Sequence, residues 1–223
     1  MNMLKQKTIL SIFFVIGMIM YGRISIAQST EFGIRAMPTV SSFEIHNASG
    51  GVIEGEATVG FGAGVFLGFN FTDHVGMQVE AIYNTLSQKY SELGNDYQVN
   101  LKYVNIPLLL SLNTGKNNPV NLNIVAGPQL GISVGSDIFN GDNNPSDAVL
   151  NVKNGDLGFA YGAGLDFGLN AAKTVRLGLG FRGVLGMFDI SDDSQSITTD
   201  NYYVLDRTNV KTYSGYLGFS ILF

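Results

Sequence analysis

Between Ala57 and Phe71 every odd-numbered residue is apolar: Ala57, Val59, Phe61, Ala63, Val65, Leu67, Phe69 and Phe71. The residues between them, Thr58, Gly60, Gly62, Gly64, Phe66, Gly68 and Asn70, are mostly small or polar. A period of two held over 15 residues defines a strand with one apolar face and one narrow face. A helix would scatter the same residues around its circumference.

The pattern recurs along the chain. Val75 to Asn84 alternates in the same way, as do Val104 to Leu112, Val120 to Val134, Leu157 to Leu169, Val175 to Phe181 and Tyr213 to Phe223. A weaker alternation around Phe32 to Val40 brings the number of strands to eight. Most run longer than the usual five or six residues and suit the 9 to 11 that cross a bilayer at a steep tilt. In hydrocarbon an unpaired backbone group costs several kcal/mol, so strands cross only when the sheet closes on itself. The expected fold is all-β: an eight-stranded antiparallel transmembrane up-and-down barrel, the smallest common outer-membrane size. Such a barrel is just wide enough for side chains to fill it. The 28 glycines among 223 residues then relieve crowding on the inner face.

The N-terminal segment reads as an address. Lys5 and Lys7 precede an apolar run from Thr8 to Gly22, and Ser25-Ile26-Ala27 supplies small residues for cleavage. The expected division is a signal peptide over 1–27, cut between Ala27 and Gln28, and a barrel domain over 28–223. The mature chain would carry 10 basic against 18 acidic residues, a balance of 10 − 18 = −8. That balance argues against nucleic acid as a partner. With no cysteine there is no disulfide, thiolate zinc site or cysteine nucleophile, and no lipidated cysteine follows the apolar run.

The connections between strands alternate in length. Short ones fall near Asn70 to His74, Asn113 to Pro119 and Asn170 to Lys173. Long ones span Ser41 to Glu56, Ser87 to Asp96, Ser136 to Asp156 and Asp189 to Asn209. Outer-membrane barrels have short periplasmic turns and longer extracellular loops, which puts both termini in the periplasm. Fourteen of the 18 acids lie in the long connections, opposed there only by Lys89, Lys153 and Arg207. They form a solvated rim, or one that shares divalent cations with lipopolysaccharide phosphates. No spacing resembles a calcium-binding loop.

Strand parity points Arg35, Glu80, Asp166, Arg176 and Arg182 inward. Asp166 and Arg176 flank the Asn170 to Lys173 turn almost symmetrically, so a cross-strand pair is expected. These five residues read as a polar network that packs and registers the barrel; the other reading is a gate or proton pathway. Lys102 shares the outward parity of Val104 and Ile106, and its stem can snorkel to the interface. Tyr83, Tyr90, Tyr97, Tyr202, Tyr203 and Tyr213 fall near strand ends, as an aromatic belt would.

Nothing in the sequence points to a reaction. Gly60 to Gly64 and Gly162-Ala163-Gly164 lie within strand alternation, whereas phosphate binding needs glycines that open a helix. His46 falls in a long connection and His74 in a short turn, so they share no site. His46 with Ser41, Ser42 or Ser49 is the only material for a lipid-modifying enzyme at the rim. No catalytic residues, cofactor or metal are expected.

The segment Tyr103-Val104-Asn105-Ile106-Pro107-Leu108-Leu109-Leu110, with Ala126-Gly127-Pro128, Gly162-Ala163-Gly164 and the ending Leu217 to Phe223, resembles a family of small outer-membrane barrels common in Bacteroidetes, labelled porin-like or PorT-like. The resemblance implies eight strands inserted by the outer-membrane assembly machinery, which reads an aromatic C-terminal residue; here Phe219, Ile221 and Phe223 match that signal. It implies no shared reaction. The functions it leaves open are a structural or surface-interaction role with outer-membrane lipid and lipopolysaccharide as surroundings, a narrow channel for ions or small solutes, a secretion-accessory barrel and the rim enzyme. Open channels need about 16 to 18 strands, which sets the structural role first. The sequence names no surface ligand or envelope partner.

Overall fold

The computed structural model describes residues 29–47, 52–53, 56–92, 95–140, 149–151, 155–189 and 202–223. Eight long strands form the wall: β1 (Ser29–Asn47), β2 (Val59–Asn70), β3 (Val75–Glu92), β4 (Asn95–Asn113), β5 (Val120–Asn140), β6 (Gly155–Gly168), β7 (Val175–Asp189) and β8 (Tyr202–Leu222). Each pairs antiparallel with the next, and β1 pairs with β8, so the sheet closes. Phe223 completes the seam: its N–H donates to Thr30 O at 2.8 Å, and the Thr30 N–H donates back to Phe223 O at 3.2 Å. Three short segments flank the wall at the end of the long connections. Val52–Ile53 pairs with β1, Glu56–Ala57 with β3, and Val149–Asn151 runs parallel to β8.

Alternation along each strand resolves into two faces. On β2 the side chains of Phe61, Val65, Leu67 and Phe69 are exposed, while Gly62, Phe66 and Gly68 are buried. The exposed apolar positions continue around all eight strands and form the outer belt. A large exposed apolar surface is a liability in water; lipid is the solvent that suits it.

The inner glycines are seats for large side chains on neighbouring strands. A Cβ at Gly33 would collide with the Phe66 ring, one at Gly164 with the Tyr216 hydroxyl, and one at Gly180 would stand 2.5 Å from the same Tyr216 group. Glycine is there for space rather than for backbone freedom.

Several strands run past the end of their apolar alternation. The segment Ser87 to Asp96, expected as a loop, is the tip of the β3–β4 hairpin, paired through Ser91↔Asp96 and Glu92↔Asn95. β1 likewise reaches Asn47, β5 reaches Asn140 and β7 reaches Asp189. The apolar pattern reports only the stretch of wall that meets lipid. Beyond it the ladder still satisfies the backbone, but the outer side chains are free to be polar. The three short connections, residues 71–74, 114–119 and 169–174, fall where expected.

Candidate functional site

The lumen is the part of the molecule where charge is concentrated and buried, and it is organised in two ionic layers. The central layer is built around Glu80, which β3 points inward opposite Phe66 of β2 and which is 1% exposed. Its carboxylate accepts hydrogen bonds from Arg35 of β1, from Gln78, and from Arg182 of β7, whose Nη2 lies at 2.9 Å and Nη1 at 3.3 Å. The Arg35 guanidinium is also held between two aromatic rings, 4.2 Å from the Phe66 centroid and 4.6 Å from that of Tyr216. Three distant strands thus meet on one carboxylate, and two rings fill the space beside it.

The second layer lies at the end of the short turns. Residues 114–119, between β4 and β5, fold into the barrel mouth and bury Lys116. Its Nζ donates to Glu31 Oε2 at 2.6 Å and lies 3.9 Å from Asp166 Oδ2. Ser220 Oγ donates to the other Glu31 oxygen at 2.7 Å. Asp166 accepts from the side-chain amides of Asn121 at 3.0 Å and Asn123 at 2.8 Å. Arg176 is fully buried and points its guanidinium at backbone carbonyls: Lys116 O at 2.7 Å, Asn118 O at 3.2 Å, Asp166 O at 3.2 Å and Lys173 O at 3.3 Å.

The five inward residues named from parity therefore divide. Arg35, Glu80 and Arg182 come together; Asp166 and Arg176 belong to the other layer. The expected Asp166–Arg176 side-chain pair is not formed. The ladder sets Asp166 opposite Gly178 and Arg176 opposite Gly168, so the two stand diagonally. The inward-folded turn then decides their partners, since its carbonyls require donors and its lysine offers Asp166 a cation.

Sequence reasoning missed Glu31, Lys116, Phe66, Tyr216, Asn121 and Asn123. Phe66 carried a signal as the one large side chain among the glycines of its face. Asn121 and Asn123 share the parity of the inner face of β5. Lys116 carried none, because a turn residue has no parity.

Other expectations fall outside the lumen. Lys102 lies on the outer wall and has a partner: Nζ is 2.6 Å from Asp137 Oδ2 on β5, beside a bulge in the β4–β5 register. Tyr83 and Tyr213 are exposed outward, and the Tyr213 ring stacks on Phe181 with centroids 6.1 Å apart. The side chains of Tyr90, Tyr97, Tyr202 and Tyr203 lie outside the described residues, as do Ala27 and Gln28. Phe219, Ile221 and Phe223 all face outward along the seam. His46 is in β1, paired with Val204, and His74 is in the turn between β2 and β3, at the opposite end of the wall. Ser41 is buried and its hydroxyl lies 3.5 Å from the Ser87 carbonyl. Among the described residues no three of His, Asp and Glu gather as a metal set.

A closed eight-stranded barrel, apolar outside and packed with ion pairs within, is the architecture of small outer-membrane proteins. Residues 26–192 match the outer membrane protein beta-barrel domain family, and the chain belongs to that family. Membership places it in the bacterial outer membrane. Its fold is similar to that of the outer membrane protein OprG from Pseudomonas aeruginosa, with a TM-score of 0.55, 16% identity, and 90% of this chain and 99% of that one covered. Ail, the attachment invasion locus protein of Yersinia pestis, solved with the heparin analogue sucrose octasulfate, aligns at a TM-score of 0.44 and 14% identity, covering 88% of this chain and 99% of Ail. No curated protein matches the chain.

Proposed function

We propose that the protein is a non-conducting outer-membrane scaffold whose wall holds four long connections at the cell surface, in a structural or surface-interaction role. The observation that carries this reading is the central layer. Arg35, Glu80 and Arg182 bridge the lumen from three strands, with Phe66 and Tyr216 packed against them. The folded-in turn at residues 114–119 adds a second obstruction. Five inward residues therefore act as structural ties rather than as a path for ions.

The topology that goes with this role has both termini in the periplasm and the acidic connections outside, among lipopolysaccharide. Residues 1–27 act as a cleaved secretory signal, and the outward-facing Phe219, Ile221 and Phe223 serve as the assembly signal. The order of motifs from Tyr103 to Phe223 supports kinship with the PorT-like barrels of Bacteroidetes. A single cysteine placed at Asp147 reports the orientation, since the chain has no other thiol: an impermeant maleimide labels it on whole cells, and failure to label reverses the topology.

The deciding experiment is planar-bilayer recording of the refolded protein. Silence is expected; steady, defined conductance steps would establish the narrow channel instead. An enzyme at the rim would show lipid or lipopolysaccharide turnover that disappears in His46→Ala.

A further inference from the structure

At the short-turn end of the outer wall one row of side chains is uneven. Thr30 of β1 pairs with Phe69 of β2, Phe69 with Met77 of β3 and Met77 with Leu110 of β4, while Phe223 flanks Thr30 on its other side. Thr30 is the short member of that row, and it is exposed. Phe71, just past the end of β2, adds a second ring beside the dip, and the turn that carries it is fixed. The Phe71 and Thr72 N–H groups donate to Val75 O at 3.0 and 3.1 Å, and Thr72 Oγ1 accepts from the N–H groups of His74 and Val75 at 3.1 and 2.9 Å.

The result is a groove of ≈ 400 Å³, lined by Thr30, Phe69, Phe71, Met77 and Val79, with Ser29 and Asn70 as its polar part. Small-molecule sites typically measure about 300–1,000 Å³. The groove is amphipathic along its length. Phe69 and Val79 belong to the lipid-facing belt, whereas Ser29 and Asn70 form the last pair of the β1–β2 ladder, at the edge of the wall. Ser29 Oγ accepts from Asn70 Nδ2 at 3.2 Å, so its own hydrogen is left to donate. Continuity with the belt makes a lipid chain the occupant, and the polar end matches the ester level of a phospholipid. A phosphorylated glycolipid calls for basic residues beside it, but residues 71–74 carry Asp73 and no lysine or arginine. With cleavage after Ala27, only Gln28 precedes Ser29, too little chain to fill the groove.

We propose that this groove holds one acyl chain of a phospholipid from the leaflet at the short turns, with the Ser29 hydroxyl donating to an ester carbonyl of that lipid. The site rests on the topology proposed above, which turns this end to the periplasmic, phospholipid leaflet. It does not depend on whether the lumen conducts.

The test is native mass spectrometry of the full mature barrel, extracted from outer membranes in mild detergent. Phosphatidylethanolamine, its ether-linked analogue and lipopolysaccharide are then titrated as probes. One phospholipid per barrel should be retained. Thr30→Phe fills the groove and should cut retention about tenfold, whereas Val120→Phe, a similar enlargement on the outer wall of β5, leaves it unchanged. Ser29→Ala should weaken the ester lipid about fivefold, the worth of one hydrogen bond, and leave the ether analogue as it binds to the unaltered protein. Heat-dependent gel mobility checks that each variant is folded. No retained lipid, equal retention in Thr30→Phe and Val120→Phe, or an ester lipid indifferent to Ser29→Ala would each overturn the assignment. So would a mass that still includes residues 1–27, which would give the groove to that segment. Lipopolysaccharide in the groove would also overturn it: with the cysteine at position 147 unlabelled on whole cells the topology falls too, and with that cysteine labelled the topology stands and only the phospholipid is lost.

Discussion

The two ionic layers of the lumen use the same chemistry and are assembled in different ways. In the central layer every participant sits within a wall strand, so register and parity aim Arg35, Glu80 and Arg182 at one another. In the layer at the short turns, a connection folds inward, and its lysine and carbonyls recruit Glu31, Asp166 and Arg176. The central layer leaves two guanidiniums dependent on one carboxylate. The other spreads its charges over neutral amides, a hydroxyl and backbone oxygens. Concentrated pairing makes the first layer the more fragile to a single change; distributed bonding makes the second more tolerant.

The largest test of that contrast is Glu80→Ala, which strands two buried guanidiniums. Breaking a buried pair from one side commonly costs about 3–5 kcal/mol, and urea unfolding in detergent should show a loss of this size. A cost equal to that of Lys116→Ala would erase the distinction. Arg176→Leu comes next: it removes charged hydrogen bonds to the folded-in turn and should cost about 1.5–3 kcal/mol. Proteolysis within residues 114–119 should rise with it, while the central layer stays intact and bilayer recordings stay silent.

Gly164→Ala probes packing around the central layer without touching its charge. A methyl placed against the Tyr216 hydroxyl forces the ring off Arg35, and overpacking of this kind costs about 1–3 kcal/mol. Unchanged unfolding would mean that Tyr216 is not seated against Gly164. The smallest effect belongs to the outer wall. Lys102→Ala removes a half-exposed pair with Asp137, and exposed pairs contribute about 0–1 kcal/mol. A loss as large as that of Glu80→Ala would show that burial is not what separates lumen from wall.

Much of the wall is legible in the order of residues alone. The alternation from Ala57 to Phe71 corresponds to β2 nearly residue for residue, and parity puts Arg35, Glu80 and Arg182 on the inner face. What escapes such reading is of two kinds. The extension of β3 past Ser87 carries no apolar alternation, and that of β4 before Val104 alternates with its apolar residues, Val99, Leu101 and Tyr103, on the buried face, so neither shows the outward apolar stripe that marks the lipid-facing wall. The partners of Asp166 escape because counting outward from a turn is sensitive to a register offset, and because Lys116 reaches it from a segment with no periodicity.

The seam between β1 and β8 and the meeting of Arg35, Glu80 and Arg182 join residues far apart in the chain, and no local pattern encodes which of them touch. Hydrophobic period is a local property: lipid outside and crowding inside act on each strand separately, so eight strands, their faces and their sealed closure follow from the residues in order. The occupants of the lumen were settled only when the sheet curved shut. Closure brings opposite walls within side-chain reach, and an ionised group taken out of water must then find whichever counter-charge or carbonyl the finished geometry sets beside it.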